Sequence, residues 1–256
     1  MMDGAVPRRR LDAELAARGL VRSRSQARAC LDAGWVRVNG RTITKGSTLV
    51  GDADEVTLAQ RDPYVSRAAH KLLGALADTG LRPSGRALDA GASTGGFTQV
   101  LLESGCAPVY AVDVGHGQLA PTLAADPRVR VREGVNLRDL TRADLDEEPV
   151  DWVVADVSFI SLRLLLAPLL DALRPGGAAL LLVKPQFEVG RQRLGRGGVV
   201  RDAARRDEAV AAVAALAADL GHPPTWSGPS RLPGQDGNIE HFLLLGAPPH
   251  GGSRVV

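Results

Sequence analysis

The chain has 256 residues, 45% hydrophobic and 23% charged, and a formal net charge of +2: room for one large domain, or an ordinary domain plus a small module, with too little net charge to demand a polyanionic partner. Two cysteines, Cys30 and Cys106, suit neither a disulfide framework nor a zinc ribbon, and the five histidines show no metal-ligand spacing, so a metal-free protein of the reducing cytoplasm is expected. No apolar stretch follows the arginines of MMDGAVPRRRLDAEL, and LLLAPLLDALRPGGAALLLV is interrupted by Asp171, Arg174, Pro175 and two glycines, which argues against a secretory signal, a membrane span and stable membrane association.

The first 60 residues read as a compact α+β module. Leu11, Leu15 and Leu20 mark a first helix, a Ser/Arg-capped second helix is predicted from about Arg24 to Asp32, and short strands are predicted around Trp35 to Val38 and Glu55 to Leu58, with Asn39-Gly40 as a turn. Arg22, Arg24 and Arg28 recur at a spacing that puts at least two on one helical face, where they could meet phosphates. Residues 61–66, with Pro63, read as a linker leading into a second domain over 67–256.

In that second domain the apolar runs RALDA, VYAVDV, RVRV, DWVVADV, AALLLVK and HFLLL alternate with helical stretches such as FTQVLLESG, SLRLLLAPLLDALRP and DEAVAAVAALAADLG. Such alternation predicts a doubly wound, Rossmann-like α/β sheet. LDAGASTGGFTQVLLESG places a glycine-rich turn after the first strand, and Asp113 ends the second strand at the spacing where an acid takes ribose hydroxyls. Asp89 stands just before Gly91; it would repel a pyrophosphate and attract a cationic ligand. An adenosyl cofactor with an amino-acid tail and no phosphates fits both acids. Asp89, Gly91, Ser93, Gly95, Gly96 and Asp113 are the candidate cofactor contacts, with Phe97 and Asn136 as weaker ones. Gly91 to Gly95 also spell G-x-S-x-G, an alternative hydrolase elbow whose triad would need Asp156 and His222 or His241. Against it, the turn follows the domain's first strand and no HGGG-type segment precedes it.

Only Lys45, Lys71 and Lys184 among the 31 basic residues are lysines. A site that needs a neutral amine as base must keep lysine, because arginine stays charged. Lys184 ends the run LLLVKP. The segment after it, QFEVGRQRLGRGGVVRD, carries Arg191, Arg193 and Arg196 among glycines and reads as a second phosphate-facing element.

Residues 10–58 resemble the small RNA-binding domain named after ribosomal protein S-four, on the SR pair before the second helix and the closing G-W-V-x-V-N-G. From Asp89 onward the chain resembles class I methyltransferases. YVSRAAHKL, DAGASTGGFT, DVSFISL, VKPQFEVGR, GGVVRD and NIEHFLLL occur in order, and with the N-terminal module they resemble the TlyA family of haemolysin A-like ribosomal RNA methyltransferases over nearly the whole chain. That resemblance implies S-adenosyl-L-methionine as cofactor, cytidine 2'-O-methylation of ribosomal RNA, free or in ribosomal subunits, and an influence on sensitivity to capreomycin-like antibiotics. Similarity to FtsJ-like enzymes further implies a Lys-Asp-Lys-Glu tetrad at Lys71, Asp156, Lys184 and Glu240. Lys184 is then the expected base, its pKa depressed by burial and by Lys71. A non-catalytic ribosome-assembly factor is the alternative in another class; a cytolysin is disfavoured because the alanine-rich helix near Glu208 to Leu220 has few bulky apolar residues.

Overall fold

The computed structural model describes residues 8–58, 62–190, 194 and 197–246. The chain divides after Arg67 into two compact units. In the first, β1 (Arg9–Arg10) leads into α1 (Leu11–Ala17), followed by α2 (Arg24–Asp32), β2 (Val36–Val38), β3 (Arg41–Thr42), β4 (Leu49–Val50) and β5 (Val56–Leu58). The Ser23 hydroxyl starts α2 by accepting from the Gln26 amide, which satisfies one of the donors a helix N-terminus leaves open. Leu11 and Leu15 on α1 and Ala27, Cys30 and Leu31 on α2 fall at helical spacing and form one core with Val36 and Val56. Asn39 and Gly40 both take positive φ, closing the two-residue turn between β2 and β3 that the sequence marks. The short pairing of β1 with β4 has no counterpart in the sequence reading.

The second unit contains α3 (Ala68–Thr79), β6 (Gly85–Ala90), α4 (Gly96–Ser104), β7 (Cys106–Asp113), α5 (Pro121–Ala124), β8 (Val129–Glu133), β9 (Val150–Ala155), α6 (Leu166–Asp171), β10 (Leu173–Val183), α7 (Pro185–Glu188), α8 (Ala203–Asp219), β11 (Pro224–Pro229) and β12 (His241–Leu245). Its strands form one sheet in the order β11-β12-β10-β9-β6-β7-β8. The five from β8 to β10 run parallel, and β12 inserts antiparallel between β10 and β11. Central β9, VDWVVA, is buried along its whole length, as a parallel strand covered on both faces must be. Leu88 and Ala90 share a core with Leu166 and Leu169 of α6 and Val213 of α8, whereas Asp89, pointing the other way, meets α4. Helices therefore cover both faces. Strand order reverses between β6 and β9, so the crevice at their carboxyl ends is the ligand position this topology provides.

In the second unit two strands depart from the sequence expectation. Strand β10 begins at Leu173 rather than at the AALLLVK run, because Leu173 pairs with Val150 before a register shift over Arg174 to Gly177. Strand β11, PTWSGP, was not foreseen; its prolines sit at an edge, where a missing N–H donor is tolerated.

Because Leu31 is fully enclosed by its own unit's core, Leu31→Ala should lower that unit's stability by about 2–5 kcal/mol. Hydrogen exchange should show the loss at amides of residues 11–58 and leave those of the seven-stranded sheet protected.

Candidate active site

The glycine turn after β6 is shaped by close approach. Gly91 has φ +83°, and a Cβ there would lie 2.9 Å from the Asp156 carbonyl oxygen. Gly95, at φ +94°, would place its Cβ against Leu123 and Leu119. Neither position accepts a side chain without moving backbone or core. Gly96 opens α4 and is buried; Phe97 is buried too, its ring stacked 6.3 Å from Phe242, so it packs beneath the turn. Asp113, just past Val112 at the end of β7, accepts from the Ser93 amide at 2.8 Å with one oxygen and from the Gly115 amide at 2.8 Å with the other. The turn and the second acid are thereby locked together. Asn136 accepts from the Arg138 amide and caps the short turn after β8.

Asp89 is fully buried. One carboxyl oxygen accepts from the Thr98 hydroxyl at 2.6 Å, and the other has no partner. Burial pushes its pKa up to about 7, aided by the neighbouring carboxylates of Asp156 and Asp113 and opposed by Thr98. A cation held beside that unpartnered oxygen would offset its desolvation, so Asp89 fits a ligand carrying an ammonium group. Thr98 was missed in the sequence, where it reads as an ordinary helix position.

The four tetrad candidates arrive from four elements. Asp156 follows β9, and its amide donates to the Ala90 carbonyl of β6 at 3.1 Å. Lys184 follows β10; its Nζ forms an ion pair with Asp156 at 2.7 Å and donates to the Ser158 hydroxyl at 2.8 Å. The pairing of Val183 with His241 brings the antiparallel strand's entry, Glu240, to the same edge. Lys71, on α3, donates to Glu240 at 2.6 Å across 169 positions of sequence. Both lysines and Glu240 are buried, and each amine has its own carboxylate. A buried ammonium without one would carry a cost of several kcal/mol. The tetrad thus stands as two ion pairs along the carboxyl edge, with Asp156 also touching the glycine turn.

Beside Lys184 stands Phe159, at φ +66° and 92% exposed, its ring 5.4 Å from that of Phe187. A left-handed backbone is rare for so bulky a residue and is a form of strain concentrated at functional sites. Phe159 lies within the stretch DVSFISL that carries the family resemblance, but its exposure is not legible in the sequence.

The hydrolase alternative fails on geometry. The Ser93 hydroxyl donates to Gln118 Oε1 at 3.2 Å rather than to a histidine, and Asp156 is engaged by Lys184. Cys30 and Cys106 are free and buried, with thiols pushed up to about 11 and 12 by desolvation, which leaves neither a ready nucleophile. Among the described residues no group of acidic, histidine and cysteine side chains could hold a metal ion, and no helix is long and apolar enough to cross a membrane.

Of the candidate phosphate contacts, Arg22 and Arg28 are exposed, while Arg24 leans 3.3 Å from Asp12, a carboxylate already held by Arg10 at 2.8 Å. Those arginines hold the Asp12 carboxyl down at about 2. Arg191, Arg193 and Arg196 lie outside the described residues.

Asp89 has a pH signature. Its carboxyl keeps a proton up to about pH 7 in the folded chain but ionises near 3.8 when unfolded, so its favourable contribution is complete at low pH and is lost as pH rises toward 7. The stability of cofactor-free wild type relative to Asp89→Asn should fall across that interval in urea titrations; a difference that stays flat would refute the assignment.

Comparison with known proteins gives a consistent answer. An FtsJ-like methyltransferase family model matches residues 64–247, and an S4 domain model matches residues 9–56. The chain is 49% identical over 241 residues to the 16S/23S rRNA (cytidine-2'-O)-methyltransferase TlyA of Mycobacterium tuberculosis, covering 93% of this chain and 90% of that one. It is 36% identical to a protein named Hemolysin A from Brachyspira hyodysenteriae, covering 92% and 100%. The solved structure of a hemolysin-named protein from Streptococcus thermophilus superposes with a TM-score of 0.73 at 38% identity, covering 98% of this chain and 92% of that one. The paired lysines and carboxylates, the glycine turn and the S4 module thus belong to a methyltransferase of the TlyA family, with an FtsJ-like catalytic domain.

Proposed function

We propose that this chain transfers the methyl group of S-adenosyl-L-methionine to the 2'-hydroxyl of cytidines in ribosomal RNA of the small and large subunits, in the cytoplasm. The observation that carries the reading is the pair of buried Lys-carboxylate contacts at the sheet edge, Lys184 with Asp156 and Lys71 with Glu240. The cofactor, when bound, supplies an electrophilic methyl on a sulfonium. Asp113 would take its ribose hydroxyls and Asp89 its ammonium, with Gly91 and Gly95 giving the backbone room to approach.

The Lys184 ammonium must first release a proton to solvent; the neutral amine is then the group suited to take the 2'-hydroxyl proton as the oxygen attacks. Asp156 and the Ser158 hydroxyl hold its Nζ in place. The Lys71–Glu240 pair supplies a second, charge-balanced amine at the same edge, so the site can favour developing negative charge on the substrate oxygen without adding net charge. The exposed ring of Phe159 offers a face on which a nucleobase can stack. The N-terminal unit, through Arg22 and Arg28, would engage RNA phosphates and fix position rather than read sequence.

Incubation of the protein with radiolabelled S-adenosyl-L-methionine and unmodified ribosomal subunits should place label on ribose. Lys184→Arg keeps the charge and removes the base, so turnover should fall by on the order of 100-fold or more while cofactor binding persists. Label on a base would discard this chemistry, and tight RNA binding without label would favour an assembly factor. Replacing both Arg22 and Arg28 by alanine should weaken RNA binding and lower the slope of its salt dependence by about 2, read by titrating affinity against salt.

A further inference from the structure

Glu188 ends α7, four residues beyond Lys184, and its side chain is only 2% exposed. A carboxylate placed there needs donors, and three converge on it from the segment after Asp156. Its Oε2 accepts from the Ser161 hydroxyl at 2.6 Å, its Oε1 accepts from the Leu162 amide at 2.7 Å, and the Arg163 guanidinium lies 3.5 Å away. Ser161 precedes a short 3₁₀ turn (Leu162–Leu164) but does not cap it with its own side chain. The Leu162 amide left open by that turn is satisfied from α7 instead.

The consequence is geometric. Residues 156–163 and 184–188 form two arms leaving adjacent parallel strands, β9 and β10. Near the sheet they are joined by Lys184 with Asp156 and Ser158, further out by the rings of Phe159 and Phe187, and at the far end by Glu188. The inner contacts involve the groups assigned above to chemistry and to base stacking, which must meet substrate. Among the described residues the Glu188 carboxylate touches none of the reacting positions and bonds to the other arm.

We infer that Glu188 is a positioning residue, a buried clasp that holds the Asp156–Ser158–Phe159 arm against the Lys184–Phe187 arm so that the Lys184 amine and the Phe159 ring stay aligned for the substrate ribose. This rests on the methyltransfer function proposed above. An opened clasp lets the arms part at their outer ends. A displacement on the ångström scale at a reacting group costs on the order of 10- to 100-fold in rate, while the glycine turn, Asp89 and Asp113 stay where they are.

The test uses the full chain with Glu188→Ala and Glu188→Gln. Glu188→Ala should raise hydrogen exchange at the Leu162 amide by at least about 10-fold, a loss of one buried bond, and should lower kcat for methyl transfer by on the order of 10- to 100-fold. The dissociation constant for S-adenosyl-L-methionine should change by less than about 3-fold, because none of its assigned contacts moves. Glu188→Gln keeps an acceptor for the Leu162 amide and should recover most of both effects. An unchanged Leu162 exchange rate, a kcat within about 2-fold of wild type, or a loss that tracks weakened cofactor binding would each overturn the inference. If wild type itself labels no ribose, the proposed function fails and the catalytic part of this inference with it. The exchange measurement then still reports separately on whether the clasp exists.

Discussion

A lysine ammonium buried at a strand end must have a carboxylate beside it, and this chain meets that requirement twice within one crevice. Desolvation makes an isolated buried charge costly enough to be avoided, so Lys184 and Lys71 dictate where Asp156 and Glu240 must lie. Meeting both needs at once requires β9 and β10 to end side by side, β12 to enter antiparallel at the same edge, and α3 to lie within reach of β12. The topology and the ion pairs are therefore one constraint seen from two sides. Glu188 extends the same logic outward, since its burial is tolerated only because a hydroxyl, an amide and a guanidinium surround it.

Asp89 shows the opposite balance. Its unpartnered oxygen sits in a fully buried position next to two other acids, an arrangement that favours a proton over a charge. Such a site is less stable alone than with a cation beside it, which is the physical form that linkage between ligand binding and folding takes. The glycine turn stays narrow because Cβ atoms at Gly91 and Gly95 would strike the Asp156 carbonyl and Leu123. The glycine turn and the Lys184–Asp156 pair thus meet at Asp156, whose backbone carbonyl faces the turn and whose side chain pairs with the amine.

The N-terminal unit uses its charges differently. Arg18 is turned inward, bonded to Glu14 and to the carbonyls of Gly51 and Asp54, and Arg10 and Arg24 share Asp12. Arg18 ties α1 to the segment between β4 and β5, in a unit whose core has nine buried apolar residues among those described. Arg22 and Arg28 remain exposed. Counting arginines in the sequence overstates the unpaired positive charge, because Arg10, Arg18 and Arg24 are paired within the unit.

By itself the sequence determined whatever depends on neighbours along the chain. Periodicity and capping located α2 behind Ser23, Asn39-Gly40 marked its turn, and alternating apolar runs announced a doubly wound sheet. The spacing of Asp89, Gly91 and Asp113 singled out a glycine turn as a candidate ligand site, and the scarcity of lysine drew attention to Lys71 and Lys184. Tertiary structure alone decided which partners those groups have. Lys71 and Glu240 are 169 positions apart, the proline-flanked β11 becomes a strand only because β12 offers it an edge, and Glu188 looks like any surface acid until α7 folds against Ser161. The exposure of Phe159 and the isolation of one Asp89 oxygen also belong to that level. Local propensity acts over a turn or a strand, whereas burial and ion pairing depend on distances that exist only after the chain has closed on itself.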